Sequence, residues 1–237
     1  MSSQIITNTT TGGTPFLAGD DGNPLKWPNS GSPGGTTDIT VALATSNYTA
    51  DQSYLTFSAS LPTQFVPLLQ AAEEAWEGDT NVNFITVPDA AESANTVPDI
   101  RIGVALMHPA TMNFISQTYY SYNAQDQFEP DTIIGLEDPS ETSVTALQTG
   151  DYSYAGFAGT VFQHFLHDLG YAPGLADNQN DPTSIMNATL SASNMLPDAQ
   201  DIAAIRQLYG PATQPVSVTR VEFDLLHTLA PQLFTTT

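Results

Sequence analysis

The sequence Thr160-Val-Phe-Gln-His-Phe-Leu-His-Asp-Leu-Gly-Tyr-Ala-Pro173 lies in the C-terminal third of the chain and decides the fold. Its apolar residues recur at the spacing of one helix face, which predicts a buried helix; they are Ala158, Val161, Phe162, Phe165 and Leu169. The opposite face is polar and carries Gln163, His164, His167 and Asp168. Gly170 is predicted to follow the C-cap of this helix, and Pro173 prevents its continuation.

This stretch resembles the active-site helix of the metzincin zinc proteases, in particular the serralysin type. The family motif is H-E-x-x-H-x-x-G-x-x-H, followed by a Met-turn. With Gly170 as the motif glycine, His167 takes the place of the second histidine. Gln163 then stands at the first zinc-binding histidine, and His164 stands at the general-base glutamate. Pro173 replaces the third histidine, so the resemblance implies a kept scaffold with altered chemistry.

The resemblance extends from about residue 25 to about residue 211. Residues 184–187 (Ser-Ile-Met-Asn) resemble the Met-turn and place Met186 beneath the old site, although Ala188 stands where serralysins usually carry tyrosine. The most specific match is the C-terminal helix sequence Asp-Ile-Ala-Ala-Ile-x-x-Leu-Tyr-Gly at residues 201–210. The implied fold is an α/β metzincin-like (zincin) domain. It has a twisted, mostly parallel five-stranded sheet with an antiparallel edge strand along the substrate cleft, and three main helices.

Periodicity along the chain predicts the same order of elements. Helices are expected at 62–77, from about 160 to 169 and at 197–209, each ending at a glycine. Strands are expected at 39–44, 82–87, 99–105, 116–122 and 132–136. Residues 54–58 read as a short strand or as the entry to the first helix. One of the strands 116–122 and 132–136 is expected to be the edge strand of the cleft.

Three regions are predicted, the first from its composition and the other two from the resemblance. Residues 1–36 form an irregular N-terminal arm rich in Thr, Gly, Pro, Asn and Ser, with Phe16, Leu17, Leu25 and Trp27 as anchors. Residues 37–212 form the metzincin-like domain. Residues 213–237 form a C-terminal tail that could serve as a type I secretion segment.

The charge balance restricts the partners of the chain. Four Lys+Arg stand against 25 Asp+Glu, which gives a formal net charge of −21. Binding to nucleic acid and to anionic membranes is therefore not expected, because both need Lys and Arg. No apolar run of 18 residues is present, so membrane insertion is not expected. The chain has no cysteine, which excludes disulfides and thiolate metal sites.

The resemblance to serralysins also implies a location. The first residues lack the basic and apolar regions of a secretory signal, so the family's leaderless, type I-like export to the extracellular space is expected. Serralysins normally carry calcium-binding nonapeptide repeats after the protease domain. No G-G-x-G-x-D sequence occurs here, so calcium binding remains only an open alternative.

Ordinary zinc peptidase chemistry is not expected. A catalytic zinc site needs three protein ligands, a water and a carboxylate that takes its proton. The amide of Gln163 is a poor zinc ligand, the side chain of Pro173 cannot ligate, and no carboxylate stands at the base position. An alternative metal site could use His164 and His167, at i and i+3, with a third ligand from Asp168, Asp177, Asp181 or His108.

The sequence thus predicts an exported pseudoprotease without catalytic residues or cofactor. Its old cleft, with Gln163, His164, His167, Pro173 and Met186, would bind a peptide or protein ligand, since an exposed edge strand can pair with an extended chain. One alternative is a hydrolase whose metal site, with zinc for example, is rebuilt around His164 and His167. A second alternative is an extracellular structural protein that self-assembles through its N-terminal arm.

Overall fold

The structure is a computed structural model that describes residues 2–4, 15–28, 35–49, 54–92, 97–108, 111 and 114–212. The predicted secretion segment, 213–237, lies entirely outside these residues, as does part of the predicted N-terminal arm. No helix within the described ranges is long and apolar enough to cross a membrane.

The described residues form nine strands and three helices. The strands are β1 Ser2–Gln4, β2 Thr37–Leu43, β3 Phe57–Ser60, β4 Val82–Thr86, β5 Ile100–Ala105, β6 Ser116–Tyr122, β7 Thr132–Glu137, β8 Val144–Ala146 and β9 Tyr152–Tyr154. The helices are α1 Val66–Glu77, α2 Val161–Tyr171 and α3 Ala199–Tyr209. All three predicted helices are confirmed, with starts one to four residues later than predicted.

Seven of the strands form one mixed sheet in the order β1-β6-β7-β5-β2-β4, and β3 pairs with the end of β5. The pairs β2–β4, β2–β5 and β5–β7 are parallel, whereas β6 runs antiparallel to β7. The prediction of an α/β fold with a mostly parallel sheet and three helices is confirmed. The predicted number of five strands is wrong, because β1 and β3 also belong to the sheet and bring the number to seven.

The central strands are covered on both faces, as is usual for parallel strands. Every residue of β5 and β7 is buried. Helices α1 and α2 pack against each other, and the indole of Trp76 on α1 donates to the carbonyl of Leu166 on α2 at 3.0 Å. The four predicted anchors of the arm, Phe16, Leu17, Leu25 and Trp27, are buried in this same core. The described part of the arm therefore belongs to the packed molecule.

One connection differs from the prediction. The sequence predicts no helix or strand within residues 137–154, but β8 and β9 make an antiparallel hairpin there, with Val144 opposite Tyr154. Its strands have only three residues each and lack a clear alternation of apolar and polar residues, which explains why periodicity does not reveal them. The hairpin leads directly into α2 and so helps to position the start of that helix.

Candidate functional site

A cleft of about 580 Å³ lies between the edge strand β6, helix α2 and the loops 156–158 and 188–190. Apolar side chains on its walls include Phe114, Ile115, Phe157 and Leu190. Its polar side chains are Ser116, Gln117, Thr118, His164, His167, Asp168, Thr189 and Tyr171. The helix predicted to carry the site therefore does line a cleft, beside β6, which runs antiparallel to β7.

Gln163 does not line this cleft, because it closes the start of α2. Its side-chain oxygen accepts from the backbone N–H of Thr160 at 2.9 Å, and the Thr160 hydroxyl accepts from the Gln163 N–H at 3.3 Å. This reciprocal pair is a capping box. The amide nitrogen donates to the carbonyls of Ser191 and Asn194, both at 2.7 Å. Gln163 therefore has a structural role here, joining α2 to the loop that follows the Met-turn.

His164 faces the cleft and is half-buried. Its Nε2 lies 3.3 Å from the carbonyl of Ala158, and its Nδ1 lies 3.1 Å from the hydroxyl of Ser116. Because a carbonyl only accepts, Nε2 carries the proton and Nδ1 accepts from Ser116. Burial, together with the nearby His167, lowers the pKa of His164 to about 4. The residue at the family's general-base position is therefore a neutral imidazole held by β6.

His167 is buried and both of its ring nitrogens have partners. Nδ1 donates to the carbonyl of Ile185 at 2.7 Å, and Nε2 lies 3.1 Å from the hydroxyl of Tyr171. Tyr171 in turn donates to Asp177, whose carboxylate lies 3.9 Å from His167 Nε2. A chain of polar contacts thus runs from the turn at residues 184–187 through His167 to Asp177. The one hydroxyl proton of Tyr171 goes to Asp177, and the hydroxyl oxygen lies against Nε2, the ring nitrogen that a metal would need.

Gly170 lies inside α2, and its predicted position after the C-cap is wrong. The helix continues through Tyr171, and Ala172 is the C-cap. Glycine is required here by packing: a Cβ at position 170 would lie 2.2 Å from the sulfur of Met186 and 3.0 Å from the ring of Trp76. Met186 is itself buried beneath α2. Ala158 is predicted to lie on the apolar face of the helix, but it is exposed and precedes the helix.

The turn that carries Met186 is fixed by the last helix. Asp201 in the first turn of α3 accepts from the Ser184 hydroxyl at 2.6 Å and from the Ile185 N–H at 3.0 Å. The carbonyl of Ile185 is the group that orients His167. The two segments that carried the family resemblance, the Met-turn and the C-terminal helix, are therefore in direct contact.

Pro173 is buried outside the cleft. Its carbonyl accepts from the hydroxyl of Tyr209 at 2.7 Å, and that hydroxyl accepts from the backbone N–H of Trp27 at 2.9 Å. The Trp27 indole donates to the carbonyl of Ala172 at 2.9 Å. The residue at the position of the third zinc ligand therefore lies where the N-terminal arm and α3 meet the end of α2.

Asp168 has an unusual environment on the cleft side of α2. Its side chain is 1% exposed, and Oδ1 accepts from the Thr118 hydroxyl at 3.0 Å. Oδ2 is buried and has no hydrogen-bond partner among the described residues. Burial raises the pKa of this carboxyl to about 6, against the lowering effect of His167, Ser116 and Thr118. Asp168 thus lies on the polar helix face that the sequence predicts, and one oxygen of its carboxyl has no hydrogen-bond partner among the described residues.

The residues at the family's ligand positions do not fit a zinc ion. Gln163 is committed to the helix start, His167 is occupied by Ile185 and Tyr171, and Pro173 offers no donor. Of the four proposed third ligands, only Asp168 lines the cleft; His108 contacts Glu141, and Asp181 is bound to Thr183 and Gln200. Within the described ranges, no group of three or more His, Asp or Glu side chains is arranged to hold a metal ion.

In the part of β6 beside the cleft, some backbone groups have no partner strand among the described residues; Ser116 is half-buried there and Thr118 is buried. The Glu137 N–H donates to the Ile115 carbonyl, so every second residue from Ile115 onward directs its backbone groups to β7. Ser116 and Thr118 consequently direct theirs away from β7. Strand β1 pairs only with Tyr120–Tyr122, so among the described residues it leaves this part of the edge uncovered. Of the two strands predicted as candidates for the edge of the cleft, β6 is the one that borders it.

Comparison with known proteins gives no family. No protein-family model matches the chain, and no curated protein matches its sequence.

Proposed function

We propose that this chain is an exported, serralysin-like pseudoprotease whose cleft binds an extended peptide. The observation that carries the proposal is the backbone edge at Ser116 and Thr118, with which no described strand pairs, beside a cleft of about 580 Å³. An extended chain can add to such an edge through main-chain hydrogen bonds, with side-chain pockets providing selectivity. The export component rests on the family resemblance.

Two features of the fold support a protease ancestor. Helix α2 lies over a buried methionine in a tight turn, and its cleft side faces an antiparallel strand at the margin of a mostly parallel sheet. This is the arrangement that the metzincin resemblance implies. The neutral His164 and the occupied His167 favour binding over hydrolysis, because neither supplies a carboxylate base or an available metal ligand.

Peptide selection tests the binding component. A displayed library of random dodecamers is selected on the purified protein, and the recovered peptides are synthesised with single N-methyl groups. We expect N-methylation to weaken binding about tenfold at alternate residues only, because only those amides face β6. Recovery of no binding peptide, or N-methyl effects without a period of two, would contradict the proposal.

A pair of variants locates the binding site. Ala188 is exposed and lines the cleft, so Ala188→Trp should fill the cleft and abolish peptide binding. The matched control is Ile85→Trp, at an exposed residue of β4 on the opposite edge of the sheet. Equal effects of the two substitutions would show that the peptides bind elsewhere.

Metal content tests the loss of the protease chemistry. After dialysis against equimolar Zn²⁺ and removal of free ions, the protein should retain clearly less than one equivalent. Near-stoichiometric zinc that disappears in the His164→Ala/His167→Ala double variant would instead support the alternative of a hydrolase with a rebuilt site.

A further inference from the structure

We infer that the ligand of the cleft carries a basic group, a lysine or arginine side chain, which binds at Asp168. The inference rests on the proposed peptide-binding function and adds the chemical class of the ligand. It follows from a buried acceptor without a partner, from the lack of lysine and arginine among the described residues that line the cleft, and from the composition of the cleft walls.

The unpartnered oxygen of Asp168 is the starting point. Buried polar atoms in folded proteins nearly always have a hydrogen-bond partner, and an exception calls for an explanation such as a bound ligand. Oδ1 is satisfied by Thr118, but Oδ2 is buried without a donor among the described residues. The residue also lines the cleft, so a donor that enters the cleft comes close to it.

Among the described residues, no lysine or arginine supplies such a donor at this point. No lysine or arginine is among the described residues that line the cleft. The two histidines of the cleft are committed elsewhere, His164 to Ala158 and Ser116 and His167 to Ile185 and Tyr171. Asp168 is also the only Asp or Glu among these lining residues, so it is the one anionic group that a basic ligand can meet there.

The surroundings of Asp168 fit the shape of a basic side chain. Lysine and arginine combine an apolar stem with a charged head that carries several N–H donors. Phe157, Ile115 and Leu190 provide apolar walls for the stem. The hydroxyls of Ser116, Thr118 and Tyr171 line the same cleft. Their oxygens can accept hydrogen bonds from the N–H groups of the ligand that do not bind Asp168. An acidic side chain would find only repulsion and no donor from Lys or Arg.

The overall charge favours the same class of ligand. A formal net charge of −21 attracts cationic peptides over distances of about a Debye length and repels anionic ones. Nucleic acids, which are anionic, are disfavoured by the same field. The net charge of the molecule and the carboxylate of Asp168 thus both favour a cationic ligand.

The experiment uses the peptides recovered on the wild-type protein and a second selection on Asp168→Asn. We expect one peptide position to be enriched in Lys and Arg on the wild type and not on the variant. Replacing that residue by norleucine, which keeps the stem and removes the charge, should weaken binding to the wild type about 10- to 100-fold, as expected for a charge-assisted hydrogen bond. Asp181→Asn, at an Asp outside the cleft, should behave like the wild type.

The outcomes separate this inference from the proposed function. If peptides are recovered without a basic position, or if norleucine binds as well as lysine, the inference is wrong while peptide binding stands. If no peptide is recovered, the proposed function fails and the inference fails with it. The norleucine exchange needs no protein variant, so it decides the question even if Asp168→Asn does not fold.

Discussion

Gln163 has a different role from the zinc-binding histidine that stands at its position in the metzincin motif. A histidine at this position would face a metal, whereas the glutamine amide caps α2 and bridges two carbonyls of the following loop. The sequence predicts the poor ligand but not the cap, because the carbonyls of Ser191 and Asn194 are about 30 residues away. The unpartnered Asp168 oxygen is likewise invisible in the sequence, since it depends on which hydroxyls β6 presents.

Glu73 gives a prediction at the residue scale. Burial, with repulsion from Glu77 and Glu74, raises the pKa of this α1 carboxyl from 4.5 to about 8. The folded state therefore holds a proton that the unfolded chain releases, so stability decreases as pH rises from about 4.5 to about 8, by up to about 1.4 kcal/mol per pH unit. Glu73→Gln should abolish most of this decrease.

Denaturant unfolding at pH 5 and at pH 8 measures this effect. The gain in the free energy of unfolding from Glu73→Gln should be larger at pH 8 than at pH 5. Glu92→Gln, at an exposed glutamate, should leave the pH dependence as it is in the wild type. An equal effect of Glu73→Gln at both pH values would show that Glu73 is ionised in the folded protein.

Strand β5 gives a prediction at the element scale, since it carries a fully buried arginine. Arg101 binds Asp89 at 2.9 Å and the Ser46 carbonyl at 2.6 Å, and it lies 3.4 Å from the centre of the Tyr48 ring. Burial acts to raise the pKa of Asp89, but the hydrogen bonds from Arg101 and Thr45 lower it to about 2. Arg101→Gln leaves this carboxylate without its charge partner and should cost about 3–5 kcal/mol.

Arg206 on α3 is the matched control for this measurement. It pairs with Asp79 at a similar distance, 2.9 Å, but both side chains are exposed. Arg206→Gln should therefore cost less than about 1 kcal/mol in the same denaturant unfolding experiment. Similar losses for the two variants would contradict the structural role assigned to Arg101.

The elements also show which part of the fold the sequence predicts. Helices α1, α2 and α3 and strands β5 and β7 follow from apolar residues at a helical spacing or in continuous runs, because each buries most of a face. Strands β1, β3, β8 and β9 have three or four residues each. Their pairing partners, not their own composition, make them strands, so local patterns do not predict them.

At the scale of the whole molecule, two features restrict which ligands can bind in the cleft: the distribution of charge and strand β1. Of the four basic residues, Arg101 is buried and Arg206 is paired, and Arg220 lies outside the described ranges. The described surface is therefore strongly anionic. Strand β1 covers the far part of β6, and it runs antiparallel, the direction that a ligand could take along the uncovered part.

The most direct measurement is amide hydrogen exchange of β6, resolved by residue with NMR, with and without a selected peptide. The account predicts slower exchange at Ser116 and Thr118 on binding, because their N–H groups face the ligand. Gln117 and Tyr119 should be protected already in the free protein by β7 and should change little. Unchanged exchange at Ser116 and Thr118 under saturating peptide would contradict strand addition at this edge and, with it, the central claim.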